Sequence, residues 1–433
     1  MSPRSSALLC GILLAAAVPL VSAQSNRRGE VELKYLDHED EIDLRNVKIF
    51  PPEPDLREHA VLKWTHGHPP RVLGAQRDPA LQVGVAPLVG TTAGVNFDGV
   101  GVGLPGFTVT SAPPDTNGAV GATQYVQWVN TSFAVFNKAT GAVVFGPAAG
   151  NTLWQGFGGP CETNNDGDPI VLYDKAANRW VMTQFSVTGG QFFQCVAVST
   201  TSDATSTFRR FSFQFTDFND YPKVGVWPDG YYISFNMFNA AGTAFLGGKA
   251  CALDRNQMLT AAGTPAAMQC FQLTSAFGGL LPSDLDGATP PPAGSPNYFV
   301  AFDDVGLNGL NLWKFHVDWA APGNSTLAGP TKVATAAFTE ACNGGTCVPQ
   351  PATTQLLDSL ADRLMYRLAY RNLGDHEARS STTRWTWPDM PACAGTRSAA
   401  RAACRPSSSR GPSPPTPAIA GWAASPWTRP GTC

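Results

Sequence analysis

The sequence predicts an all-β protein, and among all-β folds it favours a β-propeller, in which small antiparallel sheets surround a central axis. Short runs of β-branched and aromatic residues recur from Asn96 onward, separated by Gly, Asp, Asn and Pro. Each repeat reads as strand, short turn, strand, which is typical of irregular propeller blades. The 433 residues include 43 Gly and 36 Pro, as expected for many tight turns. A β-sandwich is the alternative, but the hairpins continue beyond the usual length of a sandwich.

The strand predictions follow these repeats along the chain. The first unit turns back on itself at Lys138 to Gly141. The last unit, DRLMYRLAYRNLGDHE, has helical propensity, but it falls where the next inner strand is due, so we predict a strand. The predicted units are 125–146, 168–187, 192–201, 208–215, 221–238, 297–319 and 362–377.

The first 23 residues have the pattern of a secretory signal peptide. Arg4 supplies the positive charge, Ala7 to Leu20 form the apolar run, and the segment ends at Ala23. This run is too short for a comfortable membrane span, and no other segment suits one. We therefore expect a secreted protein, extracellular or periplasmic, without a transmembrane segment.

Three further regions follow the signal peptide. Residues 24–95 begin charged and become Pro-rich, which predicts an irregular arm that serves as a propeptide, a spacer or a surface wrapping. Residues 96–377 form the predicted propeller domain, which we expect to be incomplete. Residues 378–433 form a low-complexity tail that we expect to be disordered.

The tail differs sharply in composition from the rest of the chain. From Arg379 to Cys433 there is no Val, Leu, Phe, Tyr, Asn, Gln, His, Lys or Glu. A frame shifted by one base would restore several of these residue types, so we interpret the tail as the product of a frameshift. A natural Ala/Pro/Arg/Ser linker is the alternative. A propeller cut short in this way would leave an unpaired sheet edge.

The charge distribution indicates which class of partner the protein can bind. The formal net charge is −3, but the tail holds seven Arg and a single Asp, so the remainder of the chain is clearly acidic. An acidic surface argues against nucleic-acid binding, which needs a basic one. We expect a monomer.

The cysteines predict disulfide bonds. Of ten cysteines, Cys10 lies in the signal peptide and three lie in the tail, which leaves six in a secreted chain. A zinc site is less favoured because no CxxC pair occurs. Six cysteines allow fifteen connectivities. Our hypothesis among these is pairing between sequence neighbours, 161–195, 251–270 and 342–347, formed by Cys161, Cys195, Cys251, Cys270, Cys342 and Cys347.

The segment CETNNDGDPIVLYD is the candidate metal site. Asn164, Asp166 and Asp168 place oxygen-bearing side chains around a Gly, which suits Ca²⁺. The closing Glu of an EF-hand is absent. The alternative is a set of Asx turns that begin a strand and need no ion.

Several acidic turns precede predicted inner strands, so their carboxylates could converge at the central channel. These residues are Asp115, Asp168, Asp220 and Asp375. Two converging carboxylates are what glycoside hydrolysis requires. Turn capping is the alternative role for an Asp beside a Gly.

The segment YRLAYRNLGDHE is the first-ranked candidate catalytic region because it is dense in ionisable groups. A Tyr or His base beside an Arg would suit polysaccharide lyase chemistry, although a structural network is the alternative. Together with the acidic turns it gives the predicted catalytic set: Asp168, Arg371, Asp375, His376 and Glu377.

The runs PPDTNGAVGATQYVQWVN, DGDPIVLYDKAANRW, YPKVGVWPDGYYIS and YRNLGDHE resemble secreted bacterial proteins with a sialidase-type β-propeller. The resemblance covers residues 96–377 and implies export and a ring of six to seven blades in an intact member. The S-x-D-x-G-x-T-W box of sialidases is absent, so no catalytic residue is carried over.

These observations lead to three functional hypotheses. The first is a secreted propeller that acts on or binds extracellular polysaccharide or glycoconjugate, as a glycoside hydrolase or polysaccharide lyase at the central channel. The second is a non-catalytic binding or adhesion propeller, with acidic turns that are structural or hold Ca²⁺. The third is a truncated gene product without function.

Overall fold

The computed structural model of the protein describes residues 29–51, 94–111, 113–260, 267–335, 339–350, 353–386 and 399–403. Within them the chain is almost entirely β-structure. The first two strands, β1 (Glu32–Lys34) and β2 (Leu36–Asp43), belong to the N-terminal arm. The predicted signal peptide and most of the predicted tail lie outside the described residues.

Four antiparallel sheets follow, each built from four strands that are consecutive in the chain. The first sheet contains β3 (Asn117–Val120), β4 (Gln124–Val129), β5 (Ser132–Asn137) and β6 (Val143–Ala149). The second contains β7 (Ile170–Asp174), β8 (Arg179–Thr188), β9 (Gln191–Ser199) and β10 (Thr207–Phe215). The third contains β11 (Phe218–Val226), β12 (Tyr231–Phe238), β13 (Phe245–Leu253) and β14 (Met268–Gln272). The fourth contains β15 (Leu281–Leu285), β16 (Asn297–Phe302), β17 (Gly309–His316) and β18 (Thr326–Ala334).

Two helices of a single turn lie between strands, α1 (Gly159–Thr163) and α2 (Arg255–Leu259). Asp254 caps α2, since its side chain accepts a hydrogen bond from the Gln257 amide at 3.1 Å. None of the helices in the described part of the chain has the length and apolar character needed to cross a membrane.

The sheets are arranged as the blades of a β-propeller, which confirms the predicted fold class. The first strand of each sheet is its inner strand: β3 contacts β7, β7 contacts β11, and β11 contacts β15. Because blades stack face to face, their strands are buried on both faces, and every residue of β12 is buried. This explains why the segments read as continuous apolar runs and not as alternating ones.

The sheet of the fourth blade continues through β15 into later strands. The remaining strands are β19 (Thr339–Glu340), β20 (Thr346–Val348), β21 (Leu357–Asp358), β22 (Met365–Asn372), β23 (Glu377–Thr386) and β24 (Ala399–Ala403). Strands β20 and β21 form a separate two-stranded sheet. Strand β22 pairs in parallel with β15, and β23 pairs with β22 and β24. The segment with helical propensity is therefore a strand, as predicted. The number of blades in an intact relative stays a prediction.

The change of composition after residue 377 does not coincide with the end of a strand. Strand β23 crosses it, with Arg371 opposite Ala378 and Tyr370 opposite Arg379. The Arg379 side chain is buried, its guanidinium lies 4.0 Å from the Tyr298 ring centroid, and its Nε donates to Ser283 Oγ at 3.1 Å. The fold thus continues into the first residues of the predicted tail. The frameshift itself stays a prediction.

The described part of the N-terminal arm wraps around two blades. Strand β1 pairs with β14 at the outer edge of the third blade, and β2 pairs with β10 at the outer edge of the second. The buried Arg210 donates to both carboxylate oxygens of Asp40, at 2.7 and 2.6 Å. Lys249 lies 2.7 Å from Glu32. These contacts match the wrapping alternative for residues 29–51.

Aromatic side chains fill the spaces between the blades. Trp128 and Trp180 share one apolar cluster between the first two blades, and Trp227 and Trp313 share another between the third and fourth. All four are almost completely buried. Each such side chain stabilises the fold by roughly 1.5–3 kcal/mol through burial.

The three predicted disulfide pairings are confirmed. Cys161 in α1 is bonded to Cys195 in β9, and both are buried. Cys251 and Cys270 face each other across β13 and β14 and are bonded there. The third bond joins Cys342, which follows β19, to Cys347 in β20.

Candidate functional site

Three aspartates lie on one side of the ring, which we call the N-terminal face because the inner strands begin there. Asp115 precedes β3, Asp168 precedes β7, and Asp220 lies near the start of β11. Each is partly accessible and partly buried. The first three blades therefore each contribute a carboxylate to this face.

The backbone at these positions is unusual for residues that carry side chains. Asp115, Asp168 and Tyr221 have left-handed φ values of 36°, 47° and 55°. Such conformations cost on the order of 1 kcal/mol each and are concentrated at functional sites. Between Asp220 and Lys223 the pairing of β11 with β12 also shifts register, a bulge that redirects the side chains there.

The electrostatics show that the three carboxylates form one group. Burial and the nearby Asp168 carboxylate raise the pKa of Asp115 to about 7. Burial and the same Asp168 carboxylate raise the pKa of Asp220 to about 7. Asp168 is thus the shared neighbour of two carboxyl groups that hold their protons near neutral pH.

Two cations and one aromatic ring border this group. The Lys223 ammonium lies 3.6 Å from the Tyr221 ring centroid, and the Arg363 guanidinium lies 4.8 Å from it. Lys223 lowers the pKa of both Asp115 and Asp220, although less than burial and Asp168 raise it. Arg363 is also paired with Asp362, with Nη2 2.7 Å from Oδ2.

A further carboxyl group is contributed by β19. Burial, with the charges of Asp362 and Asp304, raises the pKa of Glu340 to about 7. Sequence reasoning did not identify Glu340, Asp362 or Arg363 as site residues, because β19 and the start of β22 lie far from the other acidic turns in the chain. The available signal was the Asp362–Arg363 pair at the start of the predicted unit 362–377.

This arrangement can perform acid–base chemistry. A carboxyl group that is protonated near pH 7 can donate a proton, while an ionised carboxylate beside it can act as base or nucleophile. Two carboxyl groups with these different roles are the requirement for hydrolysis of a glycosidic bond.

Four residues of the predicted catalytic set lie elsewhere, at the opposite, C-terminal end of β22. Asp375 is in the turn between β22 and β23, where its side chain is 82% exposed and Oδ1 lies 2.7 Å from His376 Nδ1. Glu377 begins β23, with Oε2 3.6 Å from Arg379 Nη2. The expected convergence of Asp375 with the other aspartates is therefore wrong, since it follows its inner strand and does not precede it.

Arg371 takes part in an ion-pair network at this C-terminal face. Its Nη2 lies 2.8 Å from Asp286 Oδ2, and Asp286 also pairs with Arg367 at 3.3 Å and Lys175 at 3.5 Å. Burial raises the pKa of Asp286, but the hydrogen bond from Arg371 and the charges of these three cations lower it more. The pKa of Asp286 is therefore below its usual value. The network ties the ends of β7, β15 and β22 together, so Arg371 does not join the aspartates.

The proposed lyase constellation is likewise not assembled. The Tyr366 hydroxyl donates to the Val224 carbonyl at 2.9 Å, and Arg367 pairs with the buried Asp284. Burial is the largest cause that raises the pKa of Tyr366 well above its ordinary value. Tyr366 is therefore a poor base.

The candidate calcium residues point to separate partners. Asn164 Nδ2 donates to Ser186 Oγ at 3.0 Å, and Asp166 Oδ2 accepts from the Val187 amide at 2.6 Å. Asp168 belongs with Asp115 and Asp220. Among the described residues, no group of three or more His, Cys, Asp or Glu side chains is arranged to hold a metal ion. Calcium at this segment stays a prediction.

No protein-family model matches the chain, and no curated protein matches it. Among solved structures, it is similar to a GH43_1 enzyme from Xanthomonas citri complexed with xylose, with 10% identity, a TM-score of 0.30 and coverage of 62% of this chain and 81% of that chain. It is also similar to a GH43 β-1,3-galactosidase, with 11% identity, a TM-score of 0.30 and coverage of 70% of this chain and 58% of that chain. Similarity at this level does not establish a shared active site.

Proposed function

We propose that this chain is a secreted carbohydrate-active propeller that hydrolyses glycosidic bonds at its N-terminal face. The single observation behind this proposal is the shared position of Asp168 beside Asp115 and Asp220, whose pKa values burial and Asp168 raise to about 7. Export is proposed from the pattern of the first 23 residues.

The three carboxyl groups have distinct roles in this proposal. A protonated carboxyl, supplied by Asp115 or Asp220, donates its proton to the glycosidic oxygen as the bond to the anomeric carbon breaks. The Asp168 carboxylate either activates a water molecule for attack on that carbon or attacks it directly. In the second case water then hydrolyses the glycosyl intermediate, and the acid recovers its proton.

Hydrolysis is favoured over elimination because of where the charges lie. Elimination from a uronic acid requires a cation that neutralises the sugar carboxylate and a base beside it. At the N-terminal face, the Arg363 guanidinium is engaged by Asp362, and the Lys223 ammonium lies over the Tyr221 ring and interacts with the charges of Asp115 and Asp220. The Tyr, Arg and His of the last predicted segment are directed to other partners.

A panel of soluble polysaccharides and aryl glycosides tests this proposal. We expect the chain to release reducing ends from at least one substrate, and Asp168→Asn to lose that activity without a lower thermal unfolding midpoint. Binding without product release would support the non-catalytic alternative. Equal activity of Asp168→Asn would contradict the assigned site.

A further inference from the structure

The loops that carry Asp115 and Asp168 come from different blades, yet the same turn contacts both. This turn joins β4 to β5 and contains Asn130 and Thr131, both buried. Asn130 has a left-handed φ of 45°, which Asn tolerates better than most residues. The turn is not an extension of either acidic loop, so its contacts link two separate chain segments.

The Asn130 amide is directed at the loop that carries Asp115. Its Nδ2 donates to Asp115 Oδ2 at 3.0 Å and to the Pro113 carbonyl at 2.7 Å. One hydrogen bond fixes the carboxylate, and the other fixes the backbone before it. Because Asn130 is buried, this amide replaces hydrogen bonds that water would otherwise supply.

The opposite side of the same turn meets the loop that carries Asp168. A Cβ atom added to Gly167 would collide with Asn130 Oδ1, so the Gly167 backbone packs directly against the amide group. Gly167 also has a φ of 96°, which favours glycine. In addition, Asn165 Nδ2 donates to the Thr131 carbonyl at 2.9 Å.

We propose that Asn130 is a positioning residue that sets the placement of Asp115 relative to Asp168. This inference rests on the proposed function, in which that placement governs proton transfer. Asn130 makes no bond to substrate in this account. It orients the carboxylate through its amide and holds the neighbouring loop through Gly167.

The hydrogen bond from Asn130 also changes the pKa of Asp115. The Asn130 amide stabilises the charged form of Asp115 and lowers its pKa, against the larger effects of burial and Asp168. Its removal should therefore raise that pKa further. Asp115 would then resist ionisation more strongly above about pH 7, and the folded state would lose more stability there.

The test compares thermal unfolding midpoints of the full chain at pH 5 and pH 8. Asn130→Gly keeps the left-handed backbone and removes the amide, and Asn178→Gly is the matched control because Asn178 is an exposed residue with a φ of 55°. We expect Asn130→Gly to lower the midpoint by about 2 °C more at pH 8 than at pH 5. We expect Asn178→Gly to show no such difference.

The same measurement in an Asp115→Asn background shows whether the pH-dependent loss depends on the interaction between Asn130 and Asp115. There the extra loss at pH 8 should disappear, because no titrating carboxyl remains for the amide to influence. A loss from Asn130→Gly that is equal at both pH values, or that persists in Asp115→Asn, would overturn the inference. If Asn130→Gly does not fold, Asn130→Ala provides the comparison, because it also removes the amide without adding a titrating group and its backbone cost is the same at both pH values.

Hydrolysis supplies an independent readout. On any substrate that the chain cleaves, Asn130→Gly should reduce kcat by about tenfold through misplacement of Asp115. The stability test requires no turnover, so it can succeed even if the proposed hydrolysis is wrong. If Asn130→Gly cleaves the substrate with an unchanged kcat, the positioning role is overturned, while the proposed hydrolysis is not.

Discussion

Asp168 and Asp220 belong to neighbouring blades, yet they meet at the N-terminal face, where burial and the Asp168 charge raise the pKa of Asp220 to about 7. A fold selected for stability alone would not keep partly buried carboxyl groups this close together. The left-handed backbone at Asp168 adds a conformational cost at the same place. Both features are typical of a site retained for chemistry.

The first prediction concerns stability and pH. The folded state raises the pKa of Asp220 above its ordinary 3.8, so the folded chain binds an extra proton between about pH 4 and 7. The stability associated with this group is therefore full below pH 4 and lost as the pH rises toward 7. We expect Asp220→Asn to stabilise the chain by about 1–2 kcal/mol at pH 8 and to change little at pH 4. Denaturant unfolding at both pH values measures this, and destabilisation at pH 8 would contradict it.

The second prediction concerns the C-terminal face. Arg371 and His376 pair with Asp286 and Asp375, away from Asp168, so they should not take part in catalysis. On a cleaved substrate we expect Arg371→Ala and His376→Ala to keep kcat/KM within about threefold, whereas Asp168→Asn should reduce it by about 10³-fold or more. A large loss in either alanine variant would restore these residues to the catalytic set.

The third prediction concerns the disulfide bonds. In the chain-entropy description, loss of a bond costs more when it closes a longer loop. The bond from Cys161 to Cys195 spans 34 residues, and the bond from Cys342 to Cys347 spans five. Replacement of both cysteines by Ser should cost about 3–4 kcal/mol for the first pair and about 2 kcal/mol for the second. Guanidinium unfolding provides the comparison, and a reversed order would contradict it.

The fourth prediction concerns the coding sequence. The composition after residue 378 lacks nine residue types that are frequent before it, and we attribute this to a shift of reading frame. We expect that resequencing the gene around this position will reveal an inserted or deleted base relative to a frame that continues the propeller repeats. A continuous frame without such a base would support the linker alternative.

Sequence reasoning identified strands β4 to β12, β16 and β17 because their chemistry is local. Hairpins with turns such as Lys138 to Gly141 contain their own signals, and burial on both faces made the apolar runs long. Strand β22 was recognised against its helical propensity because the repeat required an inner strand there. The repeat thus outweighed a preference that is weak in comparison with tertiary packing.

Strand β15 was missed because its sequence, LPSDL, has little strand propensity. It contains Pro282 and Asp284, which are both disfavoured in strands. Its structure depends on pairing with β16 and β22, and Asp284 is tolerated because Arg367 pairs with it and the Val226 amide donates to it at 2.9 Å. None of these partners is close in sequence.

The candidate site was only partly predictable for a related reason. Asp115, Asp168 and Asp220 were recognised as acidic turns beside strands, and they do come together. Asp375 has the same local appearance but follows its inner strand, so it lies at the other face. The residue types beside a strand do not show at which face of the propeller that end of the strand lies. Only the topology of the folded chain shows this.

The most direct test of the central claim follows oxygen from the solvent into the product. Cleavage is run in ¹⁸O-labelled water on a polysaccharide that the chain degrades, and the products are analysed by mass spectrometry. Hydrolysis dependent on Asp168 predicts one labelled oxygen at each new reducing end and none formed by Asp168→Asn. Unsaturated products without label, or labelled products from Asp168→Asn at the rate of the unaltered chain, would contradict the account.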